Sequence, residues 1–211
     1  MQLIGHGAQY NVYDTEDGRV LKRPLTQEET IKIITSWYEE GEVPPEKLEV
    51  DHTAAAQKAC TVMRPHVAKS SELAHLLGNP VFSDGAEYTQ DKVDTVGTAL
   101  QSAPVTEGER IIDSYIQCII DLWGFGLADR VYNPTINNGL KADKRVILID
   151  FGEVTFEKSD VEKRIAKRRW LKAWSYNHDL PKNLRDYYAE QMKARLTQAQ
   201  LDETWRKQLA P

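Results

Sequence analysis

The stretch Val146–Ile147–Leu148–Ile149–Asp150–Phe151–Gly152–Glu153 sets four aliphatic residues before a carboxylate, an aromatic ring and a glycine. Such a run predicts a short buried strand, and the acid sits at its tip. A buried strand that presents one carboxylate at its end is a common means of holding Mg²⁺ against phosphate oxygens. Four apolar residues before an acid recur often in α/β proteins, so the weight comes from upstream. There the chain reads Leu3–Ile4–Gly5–His6–Gly7–Ala8–Gln9–Tyr10–Asn11–Val12–Tyr13, and then Arg19–Val20–Leu21–Lys22. A glycine-rich hairpin, a lysine ending the next strand and a distant strand bearing an aspartate make one phosphate-gripping set.

Working outward, residues 1–23 read as three short strands, with Asp17–Gly18 as a hairpin turn. Thr26–Gln27–Glu28–Glu29 matches a capping box and predicts a helix that carries Ile31, Ile34, Trp37 and Tyr38 inward. Gly41 and Pro44–Pro45 should stop it. Further helices are expected over 46–63 and near Glu72–Leu77. Pro80–Val81–Phe82, Ser83–Asp84–Gly85 and Tyr88–Val93 then read as strand, turn and strand. Gly97 opens a loose polar segment to Val105, the natural place for a hinge. Thr106–Glu107–Gly108–Glu109 is a second capping box, leading a helix with Ile111, Ile112, Tyr115, Ile119, Leu122 and Trp123 on one face. A loop from Gly124 to Asn138 leads to strands at Leu140 and Val146–Ile149. Ser159–Asp160–Val161–Glu162 caps another helix, and helical patterns continue to the end. The layout is α+β and two-lobed: residues 1–96 as a small β-rich lobe, 97–211 as a minimal helical lobe.

The bulk properties narrow the function classes. The chain has 211 residues and a formal net charge of −5, which argues against a general nucleic-acid binder. Cys60 and Cys118 lie in apolar helical surroundings and read as reduced core thiols. No apolar run reaches the ~18 residues of a membrane span, and the glycine-rich segment begins at once, so a cytoplasmic protein without a leader is expected. His6, His52, His66, His75 and His178 are scattered without metal-ligand spacing, and His6 is expected to face solvent. Lys158, Lys163, Arg164, Lys167, Arg168, Arg169 and Lys172 predict a basic helix interleaved with Ile165, Trp170, Leu171 and Trp174. It reads first as a solvated face over a core stripe, and second as a dock for a protein or another anionic partner: a substrate phosphate, RNA or a membrane surface.

These residues resemble the protein-kinase-like superfamily, in a short and divergent form, over about residues 1–155. Gly5–His6–Gly7 with Val12 is similar to that family's glycine-rich loop, although Tyr10 stands at the third glycine position. The resemblance implies ATP and Mg²⁺ as ligands, with Val12 over the adenine and Lys22 on the α- and β-phosphates. It implies Asp150, in Asp150–Phe151–Gly152, as a metal ligand, Asn137 or its neighbour Asn138 on a second metal, and Gln90 to Gly97 as the adenine-binding hinge. A glutamate should pair with Lys22; Glu39, Glu40 and Glu49 all qualify. The family's catalytic aspartate precedes the metal-binding asparagine by five residues, but those positions hold Tyr132 and Asn133 here. Gly126–Leu127–Ala128–Asp129–Arg130 resembles the Gly-x-x-Asp-Arg of lipid-kinase-like members, which makes Asp129 the candidate base. Glu153 reads as a surface acid. After Gly152 no counterpart of the family's activation segment is visible.

The implied activity is phosphoryl transfer to a protein or small-molecule hydroxyl. A pseudokinase, binding partners without transfer, is the rival suggested by Tyr132 and Asn133. A nucleotidyl transferase on the same fold is a third reading.

Overall fold

The computed structural model describes residues 1–38, 51–83 and 85–205. The chain is α+β, built from antiparallel sheets and helices. Strands β1 (Gln2–His6), β2 (Tyr10–Asp14) and β3 (Arg19–Pro24) form the expected meander. Its second turn uses the left-handed region at Glu16 and Gly18, where φ is 67° and 82°.

Helix α1 (Gln27–Ser36) starts with the predicted capping box: Glu29 N–H donates to Thr26 Oγ1 at 3.2 Å, and Thr26 N–H donates to the Glu29 carboxylate at 2.8 Å. It buries Thr30 and Ile34. Trp37, expected inward, is exposed, because the helix ends one residue before it. Glu39, Glu40, Gly41, Pro44–Pro45, Glu49 and the start of the 46–63 helix lie outside the described residues.

Helix α2 (His52–Val67) is capped by Asp51, whose carboxylate accepts from Ala54 N–H at 2.8 Å. Ala56, Ala59, Cys60 and Met63 give it one buried face. Helix α3 (Ser71–Leu76) and strands β4 (Val81–Phe82) and β5 (Tyr88–Asp91) follow as expected. Asp84 of the intervening turn lies outside the described residues. The five strands lie in the order β1-β2-β3-β5-β4.

Strand β6 (Asp94–Thr95) already belongs to a second sheet. The expected loose segment from Gly97 is instead helix α4 (Val96–Ser102), with Thr95 Oγ1 accepting from Thr98 N–H at 3.1 Å. Gly97 is needed there for contact, since a Cβ would lie 2.7 Å from the Thr135 carbonyl oxygen.

Helix α5 (Val105–Trp123) carries the predicted apolar face, but not the predicted cap. Pro104 occupies the N-cap and has no side-chain acceptor, while Glu107 pairs with Lys144 at 3.1 Å. Strand β7 (Ala128–Asp129) and helix α6 (Pro134–Asn137) divide what was expected as a single loop. Strands β8 (Asn138–Leu140) and β9 (Val146–Leu148) complete the second sheet in the order β6-β8-β9, and β10 (Val154–Thr155) pairs with β7. All three residues of β9 are buried, as the aliphatic run requires.

Helix α7 (Lys158–Ala166) has Glu157 at its N-cap and no side-chain cap, which corrects the Ser159–Glu162 expectation. The predicted basic helix also ends early. Arg168 is left-handed, with φ 46°, and Arg169–Lys172 form a 3₁₀ turn. Ser175–Asp179 make a π turn before helices α8 (Lys182–Arg195) and α9 (Gln198–Thr204).

Helix α5 is the hub of this half. Ile111, Ile112, Tyr115, Ile116, Ile119, Leu122 and Trp123 are buried, each aliphatic side chain contributing about 1.5–3 kcal/mol. Gly108 lets α8 approach: a Cβ there would stand 2.5 Å from Leu184 Cδ1. Cys60 and Cys118 are free and buried, as expected. No described helix is long and apolar enough to cross a membrane.

Candidate functional site

Position 22 ends up facing the chain's most informative strand. Val12 and Tyr88 are the cross-strand partners of Lys22, so the three share one sheet face. The Lys22 side chain passes the Tyr88 ring at 5.9 Å, and its ammonium donates to the Ile149 carbonyl at 2.5 Å. Asp150 is the next residue. Burial holds the Lys22 ammonium below its ordinary pKa, and the nearby Asp150 carboxylate partly offsets that penalty. Helix α2 meets the same spot with Cys60, whose thiol lies 3.5 Å from the Tyr10 hydroxyl and is pushed up by burial. Among the described residues no glutamate forms an ion pair with Lys22.

Phe151 and Gly152 fasten the Asp150 loop to the first sheet. Phe151 is fully buried and stacks on Tyr88 with ring centroids 4.8 Å apart. Gln9, inside the glycine-rich turn, donates from Nε2 to the Gly152 carbonyl at 3.1 Å. A Cβ on Gly152 would fall 1.0 Å from Gln9 Oε1, so glycine is what admits the amide. Sequence reasoning missed Gln9; its partner lies 143 residues away, and no local pattern marks it.

The turn itself is closed by Gly7 N–H donating to the Tyr10 carbonyl at 2.9 Å. Neither Gly5 nor Gly7 has a positive φ, and a Cβ on either would meet nothing within 4 Å. His6 is exposed, as expected.

Asp150 is anchored from below by Asn137. The Asn137 carbonyl accepts from Ile149 N–H at 2.8 Å and from Asp150 N–H at 3.2 Å, which ties the end of α6 to the end of β9. Asn137 is buried. Asn138 is committed to the sheet: it pairs with Leu148, and its Nδ2 donates to the Ile147 carbonyl at 3.2 Å. Its Oδ1 is buried without a hydrogen-bond partner.

Asp129 reaches the same region through β7, whose register sets it opposite Val154, two residues past Gly152. Its Oδ1 accepts from Val131 N–H at 2.9 Å, and its Oδ2 is buried with no hydrogen-bond partner. Burial raises its pKa to about 7, and the charges of Glu153 and Asp150 push the same way. A carboxyl so tuned is both proton acceptor and donor near neutrality. Glu153 is exposed, as expected.

Two amides of the expected adenine-binding segment are already engaged. Asp91 N–H donates to the Gly78 carbonyl at 2.8 Å and Lys92 N–H to the Gly18 carbonyl at 3.0 Å. Among the described residues no group of three or more His, Cys, Asp and Glu side chains is arranged to hold a metal ion. No family model matches the chain, and a search of curated proteins finds no relative.

Proposed function

We propose that this chain is an ATP- and Mg²⁺-dependent phosphotransferase with a two-lobed, protein-kinase-like fold. The observation that carries the proposal is the approach of Lys22 to the Ile149–Asp150 tip, 2.5 Å from ammonium to carbonyl, in a loop that Gln9 of the glycine-rich turn also contacts. Lys22 holds the phosphates, the turn of Gly5 to Gly7 leaves open space for them, and Val12, on the Lys22 face, borders the base. The fold makes no demand for glycine at positions 5 and 7, whereas close approach of a phosphate does.

The donor set suits Mg²⁺, which takes one or two carboxylates and completes its shell with phosphate oxygens and water. Asp150 would hold it together with Asn137 or with Asn138, whose Oδ1 is buried without a hydrogen-bond partner. Bound there, the ion supplies charge neutralisation on the phosphates. Asp129, with a carboxylate oxygen left without a partner, accepts the proton of the acceptor hydroxyl.

Incubation with γ-labelled and α-labelled ATP plus Mg²⁺, beside an Asp150→Ala control, tests the proposal. Transfer of γ-label supports it; transfer of α-label instead identifies a nucleotidyl transferase.

A second reading, a pseudokinase-type interaction module, is favoured by the tightness of the cleft. Lys22, Asp129 and Asn137 are all buried, and the Gln9 amide lies directly on Gly152. A folded chain that transfers neither label selects it.

A further inference from the structure

We infer that the basic turn from Lys163 to Lys172 is the docking surface for the acceptor, and that the acceptor is a protein segment rich in Asp and Glu. The inference builds on the phosphotransfer reading and names its substrate class. Residues 163–172 hold six of the chain's 27 lysines and arginines and no acid, in a protein of net charge −5. Lys163, Lys167, Arg168, Arg169 and Lys172 are exposed. Among the described residues, none of these five forms an ion pair. Cations so grouped, with no acid between them in the chain, create a positive field that recruits a localised anion.

The turn is fixed rather than loose. Trp170 is buried at its centre and meets Tyr132 edge-on, with ring centroids 6.1 Å apart. Arg168 takes the left-handed conformation there, between α7 and the 3₁₀ turn, so the cations on either side of Trp170 stay in solvent while the indole goes in.

The same anchors join the turn to the Asp129 loop. Arg164 donates to the Arg130 carbonyl at 2.5 Å and pairs with Asp160 at 3.2 Å. Ser175 N–H donates to Asn133 Oδ1 at 3.2 Å, and Thr135 and Ser175 share a hydroxyl contact of 2.6 Å. An acidic segment held on these cations therefore lies beside the loop that begins with Asp129, where an acceptor hydroxyl has to arrive.

Charge distribution favours a peptide over a polynucleotide. A polynucleotide carries charge along its whole length and meets repulsion from the acidic remainder of the protein. A short acidic peptide presents its charge to the turn alone. Trp174, the exposed ring next to the turn, already has one face stacked on His178 at 3.9 Å, which leaves little platform for successive bases.

The test is fluorescence anisotropy with four probes: a labelled serine peptide flanked by Asp and Glu, the same peptide flanked by Lys, a single-stranded RNA, and phosphatidylserine vesicles. The acidic peptide is expected to bind at least about tenfold more tightly than the other three, and less tightly as salt rises. A Lys167→Gln/Arg169→Gln/Lys172→Gln variant, altered only at exposed positions, is expected to lose at least about tenfold in that affinity while taking up Mg·ATP like the wild type. Equal binding of the two peptides, tighter binding of RNA or vesicles, or an unchanged affinity in the variant would overturn the inference. Label transfer separates the two claims. Acidic-peptide binding without γ-transfer leaves the dock standing and removes the phosphotransfer reading; γ-transfer without acidic preference does the reverse.

Discussion

Lys22 donates its ammonium proton to the carbonyl of Ile149, 127 residues further along the chain, at 2.5 Å. A buried lysine amine is costly to hold charged, and here it meets a carbonyl with a carboxylate on the following residue. Removing it should separate function from folding. Lys22→Met is expected to abolish the rise in Tm that Mg·ATP gives the wild type. Loss of the desolvated charge and loss of a donor for Ile149 act in opposite directions, so the ligand-free Tm should move by only a few degrees, about 1 kcal/mol either way. Thermal melts with and without nucleotide read both numbers.

Gly5 and Gly7 offer a cleaner separation, because a Cβ at either position has open space and neither φ is positive. Alanine at each should change unfolding free energy by less than about 0.5 kcal/mol in a urea titration and still weaken ATP uptake. Gly139→Ala is the contrast. Its Cβ would stand 2.3 Å from Val93 Cγ2 and 3.1 Å from Ile149 Cγ2, so the same titration should show a loss of about 1–3 kcal/mol.

Asp129 gives a pH signature. Its pKa is about 7 in the folded chain and near 4 when unfolded, so the folded state keeps a proton that the unfolded state has released. Its contribution to stability is complete below about pH 4 and is lost as pH rises through about 7. The shift corresponds to up to about 4 kcal/mol. Asp129→Asn should remove this slope, so that urea midpoints at about pH 5 and about pH 8 lie closer together than in the wild type. Transfer needs the ionised carboxylate and should therefore increase with pH across the interval in which stability falls.

The contact between Gln9 and Gly152 links the two ends of the proposed cleft. Gln9→Ala removes one buried amide bond and should cost about 1 kcal/mol in a urea titration. Gly152→Ala requires the amide to leave altogether and should cost more, about 1–3 kcal/mol.

What could be read in the sequence divides along physical lines. Local devices were legible where one residue decides them: the Thr26–Glu29 box, the turn at Asp17–Gly18, the apolar face of α5 and the buried β9 run all stand where the pattern puts them. The second capping box was not, because the helix has Pro104 at its N-cap, two residues before Thr106, and Glu107 finds Lys144 across space. Gly97 reads as a breaker, yet Thr95 caps a helix through it and the neighbouring Thr135 carbonyl leaves no room for a side chain. Lys22, Asp129, Asn137 and Asp150 are singled out by motif, while the bonds from Lys22 to the Ile149 carbonyl and from Asp150 N–H to the Asn137 carbonyl, the Gln9 contact and the burial of Asp129 depend on chain folding that no spacing encodes.

Calorimetric titration of the wild-type chain with ATP, with and without Mg²⁺, asks most directly whether these distant segments build a nucleotide site. Saturable uptake of one ATP per chain that strengthens with Mg²⁺ and disappears in Lys22→Met and Asp150→Ala is the expected result. A cooperatively folded wild-type chain that takes up no nucleotide at millimolar concentration, or binds it equally well in both variants, would contradict the assignment.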